Sequence, residues 1–167
     1  MAANISLNTI ESFLSQKRIT FVGISHNPRD IGASLIEAFE SRGHQILLVN
    51  PSAPEIMGRR CFARVQDIQP PPDAALLLTS PAVTNIVVRD CAQAGIKRIW
   101  MYRGGGQGAV SEESVEFCRT HGIEVVPGQC PFMFMKPVLG VHWFHRGLTW
   151  ITGHYPHRVN LEIERHA

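Results

Sequence analysis

Apolar positions along this chain follow two rhythms: short unbroken runs, and longer stretches in which they recur every three or four residues. The runs are Ile19–Ile24, Gln45–Val49, Ala74–Leu78, Arg98–Tyr102 and Ile123–Val126. Rich in Ile, Val and Leu with little polar alternation, they predict strands buried on both faces, as in a parallel sheet. The spaced stretches predict helices. Residues 8–17 carry Ile10, Phe13 and Leu14, with Asn8 or Thr9 placed to cap. Residues 32–42 carry Leu35, Ile36 and Phe39 and stop at Gly43. Residues 81–94 begin with Pro81, turn Val83, Ile86, Val87 and Cys91 inward, and stop at Gly95. Residues 111–121 open on Ser111 and stop at Gly122.

Between the second and third runs the pattern is weaker. It reads as a loop over 52–60 with a short helical turn at 53–57 closed by Gly58, a short strand at Cys61-Phe62, a turn of helix over 65–68 and a stiff Pro70-Pro71-Pro72 connector. Strands alternating with helices of about ten residues make βαβ units, hence parallel pairing and right-handed crossovers. The predicted fold is an α/β Rossmann-like three-layer domain with a mostly parallel sheet, spanning residues 1–130. Residues 131–157 break the rhythm and gather Phe132, Phe134, Trp143, Phe144 and Trp150. They are expected to form an aromatic-rich C-terminal helical extension, packed on the same domain or in a homodimer contact. Residues 158–167 read as a polar tail.

Composition narrows the function classes. With 167 residues, 44% hydrophobic and 18% charged, the chain suits one globular domain. A formal charge of +2 and no basic run with interleaved aromatics argue against nucleic acid. No apolar run approaches a membrane span, and the first residues lack the pattern of a secretory signal. Cys61, Cys91, Cys118 and Cys130 are scattered without a C-x-x-C pair, which suits a reduced cytoplasm.

The chemistry gathers at the ends of the runs. After the first strand comes Gly23-Ile24-Ser25-His26-Asn27-Pro28-Arg29-Asp30-Ile31-Gly32. Gly23 permits a tight turn, Ser25 and Asn27 are helix-entry residues, and Gly32 lets the helix lie close on the sheet. Amides at the start of that helix would face an anion. A strict G-x-G-x-x-G is absent, since Ser25 and Pro28 stand where the second and third glycines belong. The other strand ends, Asn50-Pro51, Thr79-Ser80-Pro81 and Arg103-Gly104-Gly105-Gly106, are also small, polar or Gly/Pro-rich. In an open parallel sheet all of them would line one groove. A nicotinamide-dinucleotide site usually ends its second strand in an acid, whereas this one ends in Asn50-Pro51.

The first loop with Gly32, Val49-Asn50-Pro51, Ile56-Met57-Gly58 with Cys61-Phe62, Asp67-Ile68, and Asp73 leading to Thr79-Ser80-Pro81 together resemble the CoA-binding domain family. That family is similar to the amino-terminal domain of the succinyl-CoA synthetase α subunit and of acyl-CoA synthetases that form nucleoside diphosphates. The resemblance runs in order from about Ile19 to Cys130. It implies that the first loop and its helix hold the pyrophosphate of coenzyme A, through Gly23, Ser25, Asn27, Pro28 and Gly32. Asn50 and Pro51, then Thr79, Ser80 and Pro81, would take adenosine and pantetheine. Gly104 and Gly105 carry over less distinctively. Arg29, Arg59 and Arg60 are added on chemical grounds, because a pyrophosphate and a ribose phosphate call for cations.

The expected function is binding of coenzyme A or an acyl-CoA without ligase catalysis. No stretch matches the phosphohistidine domain or the ATP-grasp partner of the synthetases, and no catalytic residue is assigned. An NAD(P)-dependent oxidoreductase and a protein-interaction module working through the aromatic tail are the alternatives. His142, His145, His154 and His157 read as surface or packing residues rather than metal ligands. Cys130 stands where a thiol could face pantetheine, although buried cysteine is commonly just a small hydrophobe.

Overall fold

The computed structural model describes residues 5–135. Helix α1 (Leu7–Leu14) leads into β1 (Arg18–Val22), α2 (Ile31–Glu40) and β2 (Gln45–Val49). A hairpin of β3 (Glu55–Ile56) and β4 (Arg59–Phe62) follows, then a 3-10 turn at Val65–Asp67, β5 (Ala74–Leu77) and α3 (Pro81–Gln93). The described chain closes with β6 (Arg98–Tyr102), α4 (Glu112–Thr120), β7 (Glu124–Gln129) and a 3-10 turn at Pro131–Met133.

The strands form one sheet in the order β3-β4-β2-β1-β5-β6-β7. Every pairing is parallel except that of β3 with β4. Taking the six parallel strands in chain order, the layout is third, second, first, fourth, fifth, sixth, which is the doubly wound Rossmann arrangement. The strand order reverses between β1 and β5. Both are fully buried apart from Arg18 at the start of β1.

Side-chain alternation along the strands splits the core into two layers. On one face Ile19, Phe21 and Trp100 pack with Phe13 of α1 and Phe39 of α2; Phe13 meets Trp100 edge-on at 5.2 Å between ring centres. On the other face Val22, Leu77 and Met101 pack with Val88 and Cys91 of α3 and Cys118 of α4. The indole Nε1 of Trp100 donates to the Gln129 carbonyl at 2.8 Å, so the largest core residue buries no unpaired donor.

Four local expectations change. Ser6, not Asn8 or Thr9, caps α1: its hydroxyl accepts from the Asn8 amide at 3.0 Å. Residues 53–57 form no helical turn. Met57 and Gly58 both take positive φ, 51° and 71°, which makes the two-residue connection of a hairpin, and Ile56 is drawn into the core. In α3, Val83 and Ile86 face outward, while Thr84, Val87, Val88 and Cys91 face the sheet. The polar Thr84 is tolerated there because its hydroxyl shares a 2.6 Å hydrogen bond with that of Thr79. Strand β7 continues through Pro127-Gly128 to Gln129. Among the described residues it is the sheet's last strand, where a missing amide is tolerated, and a register shift opposite Met101 and Tyr102 absorbs the irregularity.

Of the aromatic extension, Phe132 and Phe134 are described and pack against the core cluster that holds Trp100; the expectations for residues 136–167, including Trp143, Phe144, Trp150 and the four histidines, lie outside the described residues. No helix among the described residues is long and apolar enough to cross a membrane.

Candidate functional site

Where the strand order reverses, helices leave the sheet to opposite faces and a crevice opens at the carboxyl ends of β1, β5 and β6. It is a cleft of about 600 Å³, lined by three segments that are far apart in sequence. From the β1 side come Gly23, Ile24 and Ser25, together with Asp30, Ile31 and Gly32 at the start of α2. Leu78, Thr79 and Ser80 form the middle, after β5. Tyr102, Gly104, Gly105, Gly108 and Ala109 close the β6 side.

Gly23 is the point where the first two segments meet. Its φ is +89°, a conformation L side chains resist, and a Cβ there would sit 2.8 Å from the Thr79 methyl and 3.0 Å from the Leu78 carbonyl oxygen. The close approach that the sequence assigned to a ligand is therefore first of all an approach between two loops. Thr79 presses its methyl toward Gly23 while its hydroxyl is spent on Thr84.

The loop after β1 is tied by its own side chains. Ser25 Oγ accepts from the Asn27 amide at 3.1 Å, and Asn27 Oδ1 accepts from the Arg29 amide at 3.0 Å. The Asn27 side-chain amide donates to Asp30 Oδ1 at 3.0 Å. Asp30 occupies the N-cap of α2 in extended backbone, yet its carboxylate makes no capping hydrogen bond. The first-turn amides of α2 are left without a side-chain cap beside the cleft, which favours an anion there.

The structure brings Gly23, Ser25, Gly32, Thr79, Ser80, Gly104 and Gly105 together in the lining of this cleft. Others fall elsewhere. Asn27, Pro28 and Arg29 are exposed on the loop beside the cleft and do not line it. Asn50 braces that loop from β2: its side-chain amide donates to the Ile24 carbonyl at 3.3 Å, and its oxygen accepts from the Ser52 amide at 2.9 Å, with Pro51 exposed between. Arg59 is held by both carboxylate oxygens of Glu40 and lines a separate concavity with Met57. Arg60 lies over the Phe62 ring, 5.0 Å from its centre. Pro81 opens α3 and borders a third concavity with Arg103.

Sequence reasoning missed Asp30, Ile31, Leu78, Tyr102, Gly108 and Ala109. For Asp30 a signal existed, since it is a good N-cap residue just before Ile31-Gly32. For Ala109 there was none: it reaches the cleft because its amide returns to the Tyr102 carbonyl at 2.8 Å, folding the glycine loop back on β6.

Among the described lining residues only Asp30 carries a charge. Burial pushes the Tyr102 phenol up to about 12, with the neighbouring Cys130 adding to it. Burial also raises the Cys130 thiol, opposed by hydrogen bonds from the Phe132 amide and from Tyr102. Both groups are protonated at neutral pH, so Cys130 is not a poised nucleophile. Cys61, Cys91 and Cys118 are likewise free thiols, and buried. Among the described residues no three His, Cys, Asp or Glu side chains converge as a metal site. What the lining offers is a set of amide and hydroxyl donors next to an uncharged, partly apolar end.

Residues 17–136 match the family described as the CoA binding domain. The chain is 21% identical over 118 residues to an ADP-forming acetate–CoA ligase of Methanocaldococcus jannaschii, an overlap of 68% of this chain and 17% of the ligase. It is 25% identical over 114 residues to an uncharacterised protein of Bacillus subtilis, covering 68% of this chain and 82% of that one. Among solved structures, a conserved hypothetical protein of Pyrococcus furiosus superposes with a TM-score of 0.60 at 31% identity, over 68% of this chain and 95% of the other. The chain thus spans a small part of the ligase it matches, and most of the two shorter proteins.

Proposed function

The chain belongs to the CoA-binding domain family, and from that premise we propose that its cleft binds coenzyme A or an acyl-CoA, as a ligand-holding domain without ligase chemistry of its own. The observation that carries this reading is a coincidence of place. The segment matched by the family, 17–136, builds a cleft at the β1/β5 reversal, where doubly wound sheets take nucleotides, and an uncapped helix start opens beside it.

In this reading the pyrophosphate lies against the first turn of α2, with the Ser25 and Ser80 hydroxyls in reach. Asp30 opposes it by charge. The Asn27 side-chain amide donates to that carboxylate and blunts the repulsion in part. At the end of β2 the neutral Asn50 leaves a ribose phosphate unrepelled, while an acid there would suit a ribose 2′-hydroxyl instead. With Arg59 engaged by Glu40, the exposed Arg29 and Arg60 are the cations placed to meet that phosphate. The free, mostly buried thiols suit residence in a reducing compartment such as the cytoplasm.

Titration calorimetry with coenzyme A, dephospho-coenzyme A and NAD tests the proposal. Coenzyme A is expected to bind, dephospho-coenzyme A roughly tenfold more weakly for the loss of one charge-assisted contact, and NAD weakly or not at all. NAD binding as tightly as coenzyme A would transfer the cleft to the dinucleotide oxidoreductases.

A further inference from the structure

Resting on that reading, we propose that Tyr102 is the end wall of the cleft and sets which acyl groups coenzyme A can carry into it. The two ends of the cleft differ in polarity. The α2 end offers uncapped helix amides, with the Asp30 carboxylate turned to the Asn27 side chain, whereas the β6 end is formed, among the described residues, by Tyr102, Ala109 and glycine backbone. The next cation in sequence, Arg103, turns away: its guanidinium would meet a Cβ on Gly128 at 2.8 Å, and it lines a different concavity. Coenzyme A is as asymmetric as the cleft. Its phosphates belong at the amide end, and its uncharged pantetheine arm then runs past Leu78–Ser80 toward β6. From β1 to β6 is two strand spacings, about 10 Å, and what the arm meets there is Tyr102.

The ring is held in that position from two sides. Its hydroxyl lies so close over Gly104 that a Cβ there would overlap it, which makes Gly104 a clearance for the tyrosine. The same hydroxyl neighbours Cys130, the residue after β7, and the ring packs against the core cluster that contains Trp100. Tyr102 therefore fills the space between the β6 and β7 ends and cannot swing into the glycine loop without breaking these contacts. A short acyl group stops in front of the ring; a longer one has to displace it.

Calorimetry with coenzyme A and its acetyl, butyryl and hexanoyl thioesters reads this out as a ratio of affinities. In the wild type, acetyl-coenzyme A is expected within about threefold of coenzyme A, and hexanoyl-coenzyme A at least about tenfold weaker. Tyr102→Phe keeps the wall and should keep that ratio. Tyr102→Ala should bring hexanoyl-coenzyme A to within about threefold of coenzyme A, and Tyr102→Leu, which preserves more of the packing, should move the ratio the same way. Wild-type affinity independent of chain length would overturn the inference, as would a ratio unchanged in both the Ala and Leu variants. Failure of the wild type to bind any coenzyme A compound would instead overturn the ligand reading beneath it.

Discussion

Replacing Gly23 by alanine probes the junction on which the whole cleft depends. Two penalties combine at this position. A φ of +89° places an L residue in a disfavoured region, which costs about 1–2 kcal/mol. The new methyl would also be forced to within 2.8 Å of the Thr79 methyl and 3.0 Å of the Leu78 carbonyl, an overpacking that costs about 1–3 kcal/mol. Gly23→Ala is therefore expected to destabilise the fold by about 2–5 kcal/mol in urea unfolding followed by far-ultraviolet circular dichroism. A second substitution separates the two penalties. Thr79→Ser deletes the offending methyl yet keeps the hydroxyl that bonds Thr84. In the Gly23→Ala/Thr79→Ser double variant about 1–2 kcal/mol should return, while the backbone penalty and the Leu78 contact persist. Strict additivity, or a Gly23→Ala cost below about 1 kcal/mol, would refute the claim that the β1 and β5 loops are locked together here. The experiment also governs how binding data on Gly23 variants are read, since a loss of affinity would follow from the displaced Thr79 loop even if no ligand atom touched Gly23.

Asn85 links α3 to α4 by accepting from the hydroxyls of Ser111, at 2.6 Å, and Ser114, which is buried. Asn85→Ala orphans the Ser114 hydroxyl and should cost about 1–3 kcal/mol in the same unfolding assay, with a smaller loss in the Asn85→Ala/Ser114→Ala pair. Alkaline pH should also weaken the fold. Burial raises the thiols of Cys91 and Cys118 above their ordinary value of 9.0, to about 12 for Cys118, so the folded state keeps protons that the unfolded chain has released. Their contribution is complete below about pH 9 and is lost as pH rises toward the folded values, at about 1.4 kcal/mol per pH unit for each thiol. Stability that stays flat between pH 9 and 11, or a slope no shallower in Cys91→Ala, would contradict this.

The strand-loop-helix units were legible because strands buried on both faces leave no ambiguity of face: Ala74–Leu77 is apolar at every position and buried at every position. Helix α3 was harder. Its apolar residues offer two overlapping faces, and choosing Val83 and Ile86 over Thr84 follows hydrophobicity alone. What decides the matter is a hydrogen bond to Thr79, which only the fold supplies. The hairpin at 55–62 was hidden for a related reason. Five residues over 53–57 satisfy a helical turn as well as a strand, and the positive φ of Met57, which a side chain disfavours, has no sequence signature. At the site, the glycines and hydroxyl residues after the strands announced themselves. Tyr102 did not, because a tyrosine ending a strand is ordinary, and its importance comes from crossing over Gly104. The arginines were chosen by chemistry without geometry, and Glu40 claims Arg59.

The two margins of the sheet bear on how copies of this domain can meet. On one side β4 is covered by β3, a partner of only two residues running the other way, with Glu55 facing Arg60 across the pair. On the other, β7 carries Pro127 and a break in register. A short, charged, antiparallel cap and a proline-interrupted border are both poor templates for backbone pairing, so neither invites an incoming strand to extend the sheet. Self-association through this part of the chain would have to use helix faces, such as the one bearing the exposed Val83 and Ile86, and would join side chains rather than main chains.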